Sequence, residues 1–148
     1  MLYYEDKNLF AKSYAPYQDS IEGRPGVRIC IAVQFWNLSK TLAIVDTGAP
    51  YCVLSREEVE TVDPNYKDAA IGEINLRMIE GEPPGVLIRW PVRLIAADGP
   101  HLTIKGTVFV PDDYTPRPAF IGLDGILNRM RFAVDPQNNL FYFGGVED

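Results

Sequence analysis

One acid in the chain is placed as a catalyst would be. Ala43 to Leu54 reads AIVDTGAPYCVL, so Asp46 ends an apolar run and is followed by Thr47, Gly48 and Ala49. A carboxylate at a buried strand end is costly unless donors surround it, and the Thr47 hydroxyl and Gly48 amide are donors of the right kind. Such a group can act as a base toward water if a second carboxylate supplies the acid. The plain alternative is an acid that only shapes a turn. A second element, Phe120-Ile121-Gly122, lies far downstream and precedes the segment LDGILNRM, which has the pattern of one or two helical turns. Together the two are more specific than either alone.

Other chemistries find little support. His101 is the only histidine, so a Ser/His/Asp triad would depend on it entirely, and a His-rich metal site is out. Cys30 and Cys52 are too few for a disulfide framework and read as reduced, packed thiols. A Cys52–His101 dyad would need a strand cysteine to meet a histidine placed after a DGP turn, and both read as ordinary residues. Asp98, Asp112, Asp113 and Asp124 lack the spacing of a calcium loop and read as solvated loop acids. A phosphatase-type loop would need an aspartate where Gly48 stands, and a sugar-kinase loop would need two larger lobes. Trp36 and Trp90 read as packing or interface anchors. No metal or cofactor is expected.

The elements that must carry Asp46 are strands. In 148 residues, 12 Gly and 12 Pro favour many turns and few long helices, while 47% hydrophobic residues suffice for one buried core. VRICIAVQF alternates from Val27 to Phe35, WNLSK turns, and TLAIV returns antiparallel to deliver the chain to Asp46. Ser55 is placed to cap a short helix REEVETV, with Glu57 and Glu58 in its first turn and Asp63-Pro64 as its stop. Gly72 to Ile79 and Val86 to Ala96 read as strands joined by the turn-rich EGEPPG, a projecting hairpin. LTIKGTVFV alternates again before the loop PDDYTPRP, and near the end FAV and LFYF flank the DPQNN turn. Residues 1–20 read as a docked N-terminal arm or a removable segment, and 21–148 as one domain.

The net charge of −6 argues against nucleic acid or an anionic membrane as the main partner. No apolar run reaches a membrane span, and MLYYEDKNLFAK lacks the layout of a signal peptide, which points to a cytoplasmic location.

The strand ending in Asp46-Thr47-Gly48-Ala49, the hairpin around Met78 to Leu87, and Phe120-Ile121-Gly122 before a helical segment resemble the retropepsin-like aspartic proteases, over Val27 to Phe143. That resemblance implies an all-β, retropepsin-like closed β-barrel (acid protease fold) with a flap hairpin and one short C-terminal helix. It implies that Asp46 activates water, that Thr47 braces the paired loops, and that the backbone of Gly48 and Ala49 lies against substrate. The flap, Glu80 to Gly85, would cover an extended peptide or protein substrate, with Ile79, Glu80, Gly81, Glu82, Gly85, Val86 and Ile121 as substrate-binding candidates and Val53 as a further wall residue. Three departures stand out. Pro50 replaces the acid that follows the Ala of the motif in retroviral members, Pro83 and Pro84 stiffen a tip that is Gly-rich in those members, and Leu123-Asp124 replaces an arginine-led pair.

The expected activity is aspartic endopeptidase, and one Asp-Thr-Gly per chain makes a homodimer the economical way to obtain two carboxylates. The alternative is a non-proteolytic dimerisation or peptide-binding module that keeps the same fold.

Overall fold

A computed structural model describes residues 1–19, 28–78, 81–113 and 119–146. Period-two alternation in the sequence becomes a succession of short strands. At the start lie β1 (Leu2–Tyr3), β2 (Leu9–Ala11) and β3 (Ser13–Pro16). Then come β4 (Cys30–Phe35), β5 (Thr41–Val45), β6 (Cys52–Val53), the helix α1 (Arg56–Val62) and β7 (Gly72–Asn75). The two longest strands, β8 (Pro84–Leu94) and β9 (Leu102–Pro111), follow, and then β10 (Ala119–Ile121), β11 (Met130–Asp135) and β12 (Leu140–Gly145).

Six of these close on themselves in the order β4-β5-β10-β6-β9-β8, because β8 also pairs with β4 through Val33↔Leu94, Gln34↔Arg93 and Phe35↔Val92. Closure removes the open edges that such a sheet would otherwise present. The even-numbered residues of β8, among them Ile88, Trp90, Val92 and Leu94, point inward with Ile104, Val108 and Val110 of β9 to form the main core. The antiparallel return expected of TLAIV is met by a β4–β5 pair in the register Cys30↔Ile44 to Val33↔Thr41. Of the strand expected from Val27 to Phe35, Val27 lies outside the described residues and the ladder begins at Cys30.

α1 forms where expected. The Ser55 hydroxyl accepts from the Glu58 amide at 3.2 Å, which satisfies one of the amides left open at a helix start, and the helix ends when Asp63 turns extended. It buries Val59 against the barrel. The C-terminal helical segment is a single 3-10 turn, Leu127–Arg129, and β11 starts at the next residue. Pairing of β11 with β12 over six residues takes Met130 away from any further helix.

The arms of the hairpin after β7 stay paired further along than the sequence suggests. Leu76 donates to the Pro83 carbonyl, and Met78 and Gly81 exchange both backbone bonds, while residues 79 and 80 between them lie outside the described residues. Pro83 and Pro84 therefore sit in the returning arm and not at the tip.

The start of the chain is woven into its end. β3 pairs with β12 in a three-stranded sheet β11-β12-β3, and Ala11, Ser13 and Ala15 are buried. The turn between β8 and β9 clasps this arm. Tyr14 exchanges bonds with Asp98, and Gly99, at φ +87°, lies so close that a Cβ would meet the Lys12 carbonyl at 2.4 Å. His101 closes the same turn, its Nδ1 accepting from the Ala96 amide at 2.9 Å.

Candidate active site

Asp46 stands where two parallel strands end side by side. β5 and β10 run in register, Ala43↔Ala119 to Val45↔Ile121, and the next bond is from the Asp46 amide to the Ile121 carbonyl at 2.9 Å. The backbone then curls over the carboxylate. The Gly48 amide donates to Asp46 Oδ1 at 2.9 Å, and the Ala49 amide to the Asp46 carbonyl at 3.1 Å. Of the two expected donors, the backbone amide makes the contact, while Thr47 is exposed beside it. A Cβ at position 48 would stand 3.2 Å from Asp46 Oδ1, so a side chain there would press the carboxylate to give by a few tenths of an ångström.

The segment after β10 clamps this loop from the far side. Leu123 donates to the Ala49 carbonyl at 2.8 Å and Asp124 to the Pro50 carbonyl at 2.7 Å. Gly122 packs so tightly that a Cβ would lie 2.3 Å from the Tyr51 carbonyl oxygen. No side chain fits there. The turn is pinned by Asn128, whose Oδ1 accepts from the Gly125 amide at 2.9 Å and whose Nδ2 donates to Asp124 Oδ1 at 3.3 Å. An amide–carboxylate pair thus stands at a position where the resemblance implied an arginine. Asp46 remains half-buried, and its loop neighbours Thr47, Gly48 and Pro50 are exposed, with Leu123 44% exposed alongside. The site faces outward.

The other candidate groups separate from this loop. Cys52 is fully buried, and burial pushes its thiol up to about 12 against the opposing effect of a backbone bond from Gly122, so it holds no useful thiolate. Cys30 is also buried, which raises its thiol; Arg28 lowers it and Asp19 raises it by smaller amounts. His101 is committed to the β8–β9 turn. Among the described residues no group of three or more His, Cys, Asp or Glu side chains gathers as a metal site, and no helix is long and apolar enough to cross a membrane.

The substrate-binding candidates divide. Ala49 is half-buried in the Asp46 loop, and Gly81 and Glu82 are exposed on the hairpin, Gly81 at φ +134° with open space where a Cβ would be. Ile79 and Glu80 lie outside the described residues. Val53, Val86 and Ile121 have their side chains in the apolar interior, and Gly85 is backed by the Phe109 ring. All four positions are buried in the single chain.

A second apolar cluster had no counterpart in the sequence reading. Val53, Leu76, Leu87 and Phe109 are buried together, with half-buried Tyr51, Ile74, Met78 and Phe120 packed on them. Four elements meet here: the segment after Asp46, the β7–β8 hairpin, β9 through Phe109, and β10. One signal was present, since Ile74, Leu76 and Met78 alternate with Glu73, Asn75 and Arg77.

No protein-family model matches the sequence, and no curated protein is significantly similar to it. Among solved structures, the chain is similar to a retropepsin-like aspartic protease from Rickettsia conorii, with a TM-score of 0.52 and 21% identity over 86% of this chain and 96% of that one. The retroviral protease-like domain of Ddi1 from Leishmania major aligns with a TM-score of 0.47 and 16% identity over 82% and 97% of the two chains. The closed six-stranded barrel, the parallel β5–β10 pair and the likeness to the rickettsial structure agree: this chain has the retropepsin-like fold.

Proposed function

We propose that the chain is an aspartic endopeptidase, in which water held between two Asp46 carboxylates of a homodimer attacks the peptide carbonyl. The observation that carries this reading is the Asp46 loop itself. A half-exposed acid is fixed by the Gly48 amide, and its loop is held on both flanks by Ile121, Leu123 and Asp124. So much backbone committed to one outward-facing acid suits catalysis better than a turn, since positioned groups act only when their geometry is fixed.

One chain supplies one such acid, so a two-fold axis beside the loop supplies the second. Two carboxylates at hydrogen-bond distance cannot both ionise and share one proton. The charged member takes a proton from water as the water oxygen adds to the carbonyl carbon, and the protonated member donates to the carbonyl oxygen. The tetrahedral intermediate then collapses, with the proton passing to the leaving nitrogen. In this reading the hairpin after β7 covers the substrate as an added strand, and Tyr51, Ile74, Met78 and Phe120 give the cleft apolar walls.

A peptide-binding module without hydrolysis is the second reading. Pro50 favours it, because it offers no amide to a substrate backbone next to Ala49. The two readings part on Asp46→Asn, assayed against a peptide library beside the parent chain. The protease reading expects a folded variant whose turnover falls by more than about 100-fold. Equal turnover would end it, and a parent that binds peptides without cutting them would establish the second reading.

A further inference from the structure

The odd-numbered face of β8 and β9 changes character along its length. The register sets Arg93 opposite Thr103, Pro91 opposite Lys105 and Arg89 opposite Thr107, then Leu87 opposite Phe109. Side chains on one face of a strand recur every second residue, so these all share one side of the barrel wall. Leu87 and Phe109 belong to the second apolar cluster beside the hairpin, whereas Arg89, Arg93 and Lys105 are exposed. Arg129 joins them from the 3-10 turn, its Nη1 donating to the Lys105 carbonyl at 2.8 Å.

Among the described residues, the paired β8–β9 positions of this face hold no acid. Its remaining positions are Pro91, Thr103 and Thr107, and Gln34 lies across from Arg93 on β4. Among the described residues none of the four cations forms an ion pair, and Arg93 is held by a bond from Nε to Thr103 Oγ1 at 3.4 Å. In a chain of net charge −6 this is a local reversal of sign.

We propose that Arg89, Arg93, Lys105 and Arg129 form a docking surface for an acidic stretch of polypeptide. Charge complementarity selects an anionic partner, and the size of the patch selects a short one. The four cations occupy a short length of two strands and one turn in a chain of net charge −6, which suits a few carboxylates better than an extended nucleic acid or an anionic bilayer. Leu87 and Phe109 are buried, but half-buried Tyr51, Ile74, Met78 and Phe120 packed on them give the face an apolar continuation, which selects an extended peptide. Arg89 lies about 7 Å, and Arg93 about 20 Å, beyond Leu87 along β8 at the usual rise per residue. Resting on the protease reading, this makes the segment part of the substrate: acidic residues a few positions from the bond to be cut, with apolar residues nearer to it.

The test is fluorescence anisotropy of fluorescein-labelled octaglutamate with the full chain at low salt. The expected result is saturable binding that weakens as salt is raised. The Arg89→Ser/Arg93→Ser/Lys105→Ser variant, checked for unchanged circular dichroism and melting temperature, should bind about tenfold less tightly. If that variant melts early, Arg93→Gln and Lys105→Gln are read singly, each expected to weaken binding about twofold. Absence of binding, or equal binding by folded variants, overturns the proposal. Tighter binding of octauridylate or of phosphatidylserine vesicles through the same residues also overturns it. Because the assay reads binding and not turnover, its failure and the failure of the protease reading are separate results.

Discussion

At Gly122 a missing methyl group decides whether the Asp46 loop exists. Its Cβ would stand 2.3 Å from the Tyr51 carbonyl oxygen and 2.6 Å from the Tyr51 nitrogen, so Gly122→Ala forces two backbones apart. The cost expected for such overpacking is about 1–3 kcal/mol, read as a lower denaturation midpoint with an unchanged slope. Under the protease reading, cleavage should fall further than the loss of folded protein explains, because Leu123 and Asp124 would release the Ala49 and Pro50 carbonyls. Activity in full proportion to folded protein would show that the clamp does not position Asp46. This is also the scale at which the sequence was most legible. Asp46, Thr47, Gly48 and Gly122 carry local signatures, an acid after an apolar run and a glycine where only glycine fits. Tyr51 carries none, and although Met78 lies in an alternating run and Phe120 in the Phe-Ile-Gly element, nothing local brings the three together, because half-burial against a hairpin and a distant strand is settled by tertiary packing.

Elements were legible where one segment determines its own form. α1 has an N-cap, two acids in its first turn and a proline soon after its end, all within ten residues of Ser55. Ser55→Ala should cost about 1 kcal/mol in a denaturant melt, since the Glu58 amide loses its acceptor in a buried place. A change within error would mean that the hydroxyl only exchanges one partner for water. The hairpin tip was harder, because EGEPPG contains several possible turns, and register is decided by which backbone groups pair across it. Leu76 pairing with the Pro83 carbonyl uses proline as an acceptor only, which it can be, and so Pro83 joins the returning arm. The parallel β5–β10 pair was not legible at all. Ala119 to Ile121 is three residues, and nothing local says that they will lie beside Ala43 to Val45.

For the whole molecule, the barrel closes within one chain, and the N-terminal strand β3 is used up on the chain's own β12. Fold stability is thus built in cis, while the proposed chemistry needs a second copy, and the two can be separated by experiment. Mixing wild type with Asp46→Asn at constant total concentration leaves the fold of each subunit alone and changes only how many dimers hold two aspartates. If subunits exchange freely and both aspartates are required, activity follows the square of the wild-type fraction, so an equal mixture retains about one quarter of the starting rate. A monomeric catalyst would retain about one half, because each wild-type chain acts alone. The quadratic curve should straighten when the two proteins are mixed after dimers have formed and are assayed before they exchange. A straight line under all conditions would remove the shared carboxylate pair, and with it the reason for Asp46 to face outward from the barrel.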